Sequence, residues 1–145
     1  PPAETIDVEI DLPGAAYLPD DYVPDMRLKI DFYRRLARVA SRDQLSLYRD
    51  ELVDRFGAPP AAATRLLQLS ALRIDAACWT ITAIRGEDRF LRFSFADPST
   101  MHRLAQITQA RFRIVDDVSA YVPVAQGVGD PDAMLELARS VLPQG

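Results

Sequence analysis

Two hydrophobic periods, and the irregular order in which they follow one another, constrain this chain more than any single motif. A period of two residues marks a half-buried strand, and a period near 3.6 marks an amphipathic helix. The stretch TIDVEIDL alternates strictly, with Ile6, Val8, Ile10 and Leu12 on one side and Thr5, Asp7, Glu9 and Asp11 on the other. It predicts a strand with an acidic outer face. Three helical segments come next, then a strand pair, a helix, a second strand pair and a last helix. This succession lacks the regular strand–helix alternation of a doubly wound sheet. The expected fold class is therefore α+β, a mixed or antiparallel sheet packed against several helices in a single compact domain.

The helical segments carry their own start and stop signals. After the Pro-, Gly- and Asp-rich connection PGAAYLPDDYVPD, Asp25 is placed to cap the helix MRLKIDFYRRLARVA, whose apolar stripe reads Met26, Ile30, Tyr33, Ala37 and Ala40. Ser41 and Gln44 have capping-box spacing and open a second helix with the stripe Leu45, Tyr48, Leu52 and Phe56. Gly57 suits the left-handed conformation that ends a helix. Pro59 and Pro60 forbid its continuation and fit the first turn of the next one. That third helix, predicted over 59–77, carries Leu66, Leu67, Leu69, Ala71, Leu72 and Ile74 and is apolar enough to be largely buried.

In the second half, CWTITAI and RFLRFSF flank RGED and predict a β-hairpin, with Leu91, Phe93 and Phe95 on one face. Asp97–Pro98 and Asp130–Pro131 repeat one helix-start chemistry, a capping carboxylate before a proline at the first helical position. Helices are expected over 98–110 and 131–142. Between them, RFRIV and VSAYVPV read as strands around an Asp116–Asp117 turn.

The 145 residues are enough for one domain that folds without disulfides or metal, and 48% hydrophobic with 26% charged residues is a globular composition. A net charge of −4 argues against a surface that is wholly a nucleic-acid footprint. The one cysteine, Cys78, opens a predicted strand and reads as a small buried hydrophobe in a reducing, cytoplasmic setting. The start of the chain, PPAETIDVEIDL without an initiator methionine, reads as a piece of a longer polypeptide.

Catalytic signatures are missing from the sequence. There is no G-x-x-x-x-G-K-[ST] loop, G-x-G-x-x-G, H-E-x-x-H or G-x-S-x-G. His102, the only histidine, falls beside the apolar face of its helix and reads as an exposed structural residue. Trp79, Phe90 and Phe93 read as sheet-face packing. The first helix is strongly basic, with Arg27, Lys29, Arg34, Arg35, Arg38 and Arg42 against Asp25 and Asp31. Such a stripe suits phosphate contact, but the acids of residues 4–21 are close enough in the chain to neutralise it.

The block DELVDRFGAPP poses the functional question. On a helix Glu51 and Arg55 are four apart in the favourable order, and Glu51 and Asp54 are three apart, so all three project from one side. A solvated face with an internal ion pair accounts for Glu51 and Arg55. Asp54 fits that account less well, because a carboxylate near a helix carboxyl end opposes the macrodipole. A partner outside the helix would explain it, and both readings stand on these residues alone.

The order IDLPGAAYLPDDYVPDMRLKIDFYRRLA, then LYRDELVDRFGAPPAAATRLLQLSALR, resembles the carboxy-terminal (TRCF) domain of bacterial transcription-repair coupling factors, the Mfd family. The elements that carry it are Pro19, Tyr22 and Pro24, then Arg27, Tyr33 and Leu36, then the run from Glu51 to Pro60. The match is tight from about residue 6 to residue 75 and looser beyond. The resemblance implies a non-catalytic regulatory domain, without cofactor or metal of its own, from a cytoplasmic DNA translocase. The motor of that translocase, with its ATP and Mg, lies upstream. It further implies that the domain docks on the amino-terminal UvrB-like module of the same protein and hides the surface that binds UvrA, while the parent protein engages RNA polymerase and DNA. The family's docking face maps onto Glu51, Asp54 and Arg55. The alternative is an accessory contact to DNA or RNA polymerase through the basic helix 26–42, with Arg34, Arg35 and Arg38 as its secondary contact residues.

Overall fold

Four of the five helices begin on the side-chain caps that the sequence predicts. In the computed structural model, which describes residues 7–109, 111–125 and 130–144, the order is β1 (Glu9–Asp11), α1 (Met26–Arg38), α2 (Arg42–Phe56), α3 (Ala61–Cys78), β2 (Ile81–Gly86), β3 (Phe90–Phe95), α4 (Pro98–Ile107), β4 (Arg113–Ile114), β5 (Ser119–Pro123) and α5 (Pro131–Ser140). Asp25 accepts from the backbone N–H groups of Arg27 and Leu28, Ser41 from Gln44, Asp97 from Ser99 and Asp130 from Asp132. The fold class is α+β. By contacts the chain divides into two compact units, Ala15–Ile74 and Pro1–Gly14 with Asp75–Gly145.

The sheet belongs to the second of these units. Its order is β1-β2-β3-β5-β4. β1 runs parallel to β2 and every other pair is antiparallel, so the sheet is mixed. In β1 and the two residues before it, Val8 and Ile10 turn inward while Asp7, Glu9 and Asp11 stay exposed, as the alternation requires; Thr5 and Ile6 lie outside the described residues. Leu91, Phe93 and Phe95 share the buried face of β3, and Phe93 meets Phe112 edge to face at 4.9 Å. The hairpin closes two residues later than RGED suggests. Gly86 is still strand, and the turn is tied by Glu87 and Phe90, each N–H reaching the other's carbonyl oxygen at 2.8 and 3.3 Å. A Cβ on Gly86 would stand 2.7 Å from Met134 Cε, so the missing side chain lets α5 approach the strand. The β4–β5 turn is organised by Asp116, whose Oδ1 accepts from Val118 N, Ser119 N and Ser119 Oγ. These donors hold its carboxyl below the usual carboxylate range.

Two expectations at this end are corrected. Cys78 does not open a strand; it ends α3 and is exposed, and Trp79 falls in the turn that follows. Ala76 and Ala77 are strong helix formers that prolong α3. Its end is then tightened by Trp79 N–H to Ala76 O and Thr80 N–H to Ala77 O. Helices α4 and α5 stop at Ile107 and Ser140, short of the predicted 110 and 142. His102 is exposed on α4, as expected.

The helical unit, Ala15–Ile74, has its own core. Leu18, Val23, Phe32, Leu45, Tyr48, Leu52, Ala63, Leu67 and Ala71 pack there, with Leu28, Tyr33, Leu36 and Phe56 partly buried against them. The α2 stripe is as predicted, but the α1 stripe is not. Met26, Ile30, Ala37 and Ala40 are exposed, and the buried side is Leu28, Phe32 and Leu36, joined by Lys29 and Tyr33. Both sets have helical spacing; Phe32 carries more apolar area and decides between them. Lys29 can be buried because it is paired with Asp20, a carboxylate of the acidic connection. That connection is ordered by polar contacts. The Tyr33 hydroxyl accepts from Leu18 N–H at 2.7 Å, and Arg65 donates to Ala15 O at 2.6 Å.

Candidate docking face

Helix α2 is held at both ends before its surface is considered. At the amino end Ser41 Oγ accepts from Gln44 N–H at 3.1 Å, while Gln44 Oε1 accepts from Ala40 N–H at 2.8 Å. At the carboxyl end Gly57 adopts φ 89°, and the Tyr22 hydroxyl donates to its carbonyl at 2.8 Å. Between these anchors Leu45, Tyr48 and Leu52 are buried, and the Tyr48 hydroxyl donates to Phe32 O at 2.9 Å. Burial pushes the Tyr48 phenol well above its ordinary pKa. The side of the helix outside this stripe is therefore fixed in direction.

That side carries the three predicted residues, in different circumstances. Glu51 is half-buried and held as a fork by Arg35 of α1, Nη1 to Oε2 at 2.7 Å and Nη2 to Oε1 at 2.6 Å. The expected pair within the helix is also present but weaker, with Arg55 Nη1 at 3.5 Å from Glu51 Oε2. The Arg35 hydrogen bonds, and then its charge, hold the Glu51 carboxyl below the usual range, and Glu51 in turn raises Arg35. Bidentate geometry of this kind adds orientation as well as energy.

The two guanidinium groups rest on aromatic rings. Arg35 Cζ lies 5.0 Å from the Phe32 centroid and 6.0 Å from that of Tyr48; Arg55 Cζ lies 5.5 Å from Phe32 and 5.5 Å from Phe56. Phe32 meets Tyr48 and Phe56 edge to face at 5.6 Å each. Cation–π contact thus steadies both cations without removing their charge. Asp54 is exposed and has no hydrogen-bond or ion-pair partner among the described residues. The face consists of a positioned carboxylate, a positioned guanidinium and one carboxylate without a partner among the described residues.

Two contributors escaped the sequence. Arg35 belongs by sequence to the basic stripe, but it is committed to Glu51 and also lies 3.9 Å from Asp31. Leu47 is 70% exposed, four residues before Glu51 and seven before Asp54, so it stands as an apolar knob on the same side. The period of α2 places it off the core stripe, and that signal was available. Of the secondary contact residues, Arg34 and Arg38 are exposed and have no ion-pair partner among the described residues.

Among the described residues no group of three or more His, Cys, Asp or Glu is arranged to hold a metal ion. No helix of the described residues is long and apolar enough to cross a membrane. A shallow cavity of about 300 Å³ in the sheet unit is lined by Ile107, Thr108, Gln109, Arg111 and residues Ser140 to Pro143.

Comparison with known proteins places these features in context. The family model described as TRCF domain matches residues 12–107. A transcription-repair-coupling factor of Myxococcus xanthus is 29% identical over 98% of the chain, and one of Mycobacterium bovis is 34% identical over 88%. The chain spans only 12% and 11% of the length of these two relatives. A solved structure, the C-terminal domain of a transcription-repair coupling factor, has the same fold, with a TM-score of 0.71 over 92% of this chain and 95% of that one at 22% identity.

Proposed function

This chain belongs to the TRCF domain family, and from that premise we propose that it is a non-catalytic regulatory domain of a transcription-coupled repair translocase. In this reading the domain docks through the α2 face on the amino-terminal UvrB-like module of its own polypeptide and masks the surface that binds UvrA. ATP hydrolysis, DNA translocation and contact with RNA polymerase belong to the rest of the polypeptide, in the cytoplasm. The observation that carries the proposal is Asp54. An exposed carboxylate near the carboxyl end of a helix, without a hydrogen-bond or ion-pair partner among the described residues, stands three residues after Glu51 and one before Arg55, whose positions are already fixed.

The chemistry suits a reversible clamp. Polar, half-exposed groups give orientation and selectivity more than permanent adhesion, and a release mechanism needs a bias of only about 1–3 kcal/mol. The test is Glu51→Ala, Asp54→Ala and Arg55→Ala together in the full-length protein. UvrA capture should rise while the circular dichroism of the variant matches the parent. Unchanged UvrA affinity in a folded variant overturns the proposal.

A further inference from the structure

Helix α1 has a second apolar strip that its own domain leaves uncovered. Met26 is 60% exposed and Ile30 44%, with exposed Ala37 two turns further on. Spacings of four and seven put the three on one side of the helix. Next to them, at the same spacings of seven and four, run Arg27, Arg34 and Arg38, all exposed and without an ion-pair partner among the described residues. Their neighbours Lys29 and Arg35 are consumed by Asp20 and Glu51. One exposed apolar side chain is ordinary on a protein surface. An aligned apolar strip bordered by a line of unpaired arginines is a surface with two matched demands.

We infer that this strip is a second docking surface, distinct in its residues from the Glu51–Asp54–Arg55 face, and that its partner is an acidic amphipathic helix of another protein segment. From Arg27 to Arg38 the line runs about 16 Å along the helix axis. A helix laid alongside meets both demands over that length. Its apolar stripe covers Met26 and Ile30, the small Ala37 permits close approach, and flanking Asp or Glu side chains take the guanidinium groups in bidentate pairs. Duplex DNA meets only one demand. Phosphates satisfy arginines but leave Met26 and Ile30 without an apolar partner.

The test uses the 145-residue chain and a fluorescently labelled synthetic helix of leucine and glutamate with helical periodicity. A scrambled peptide of identical composition, duplex DNA and anionic vesicles are measured in parallel. The patterned helix should bind saturably, and the scrambled one at least about tenfold more weakly. Ile30→Asp and Arg34→Glu, both at exposed positions, should each weaken the patterned helix by about tenfold or more with unchanged circular dichroism. A helix in which lysine replaces glutamate should bind Arg34→Glu better than it binds the parent. Equal binding of patterned and scrambled peptides, insensitivity to both substitutions, or preference for DNA or vesicles over the patterned helix overturns the inference.

Discussion

Gly57 ends α2 at φ 89° and ψ −169°, backbone angles open to glycine and closed to residues with a side chain. Nothing lies within 4 Å of where its Cβ would stand. The position therefore demands conformation rather than space, and Gly57→Ala should cost about 1–3 kcal/mol through strain alone. Urea unfolding should show a lower midpoint with an unchanged slope. Glu51 makes a different prediction. Its folded pKa is depressed, so its pairing with Arg35 contributes stability above the unfolded carboxyl value and loses it as pH falls through the folded one. Glu51→Gln should cost about 0.5–1 kcal/mol at pH 7, because the pair is partly exposed. As the pH falls below the unfolded carboxyl value the urea midpoints of parent and variant should draw together. A gap that does not change with pH would assign the effect to packing instead. Gly57 was legible because a stop signal is local, written in Phe56-Gly57 and the prolines after it. The fork between Arg35 and Glu51 was not, because it depends on which side α1 turns to α2.

The same distinction holds for whole elements. Caps and turns could be read because each is complete within a few residues: Ser41 with Gln44, Asp97 with Ser99, Asp116 with Ser119. The side of α1 that is buried could not, because two sets of apolar residues share its period. The choice rests on Phe32 entering the core and on Asp20 accepting Lys29 from outside the helix. Strand order is non-local in the same sense. β1 reaches its parallel partner β2 only after three intervening helices, and no residue of TIDVEIDL encodes that neighbour. The cap that starts α2 lies at the end of the helix remote from the candidate docking face, so Ser41→Ala tests how far along the helix the cap acts. It should cost about 1 kcal/mol. Amide hydrogen exchange should quicken over the first turn, residues 42–45, and stay slow from Tyr48 to Leu52. Uniform acceleration along α2 would mean that the cap supports the whole helix rather than its first turn.

At the scale of the molecule, what matters is which charges the domain uses for itself and which it leaves for something else. Glu51 serves both purposes, since removing it also frees Arg35 beside the Phe32 and Tyr48 rings. A change in docking after Glu51 substitution is therefore partly a change in the domain. Arg55 is similarly bound to Phe32 and Phe56. Of the three residues of the face, Asp54 alone has no such internal contact among the described residues, which makes Asp54→Asn the discriminating variant. In the 145-residue chain it should leave the urea midpoint within about 0.5 kcal/mol of the parent, as an exposed substitution that breaks no internal contact. In the full-length protein it should raise UvrA binding. Because the lost term is a screened charge contact, the difference between parent and variant should be largest at low salt and shrink as the Debye length falls to about 8 Å near physiological ionic strength. If Asp54→Asn leaves UvrA affinity unchanged at low salt while Glu51→Gln changes it, the Glu51 effect is structural and the face is not the docking surface. If both variants raise it and only Glu51→Gln lowers stability, the charge that the domain leaves unsatisfied is the one that its partner reads.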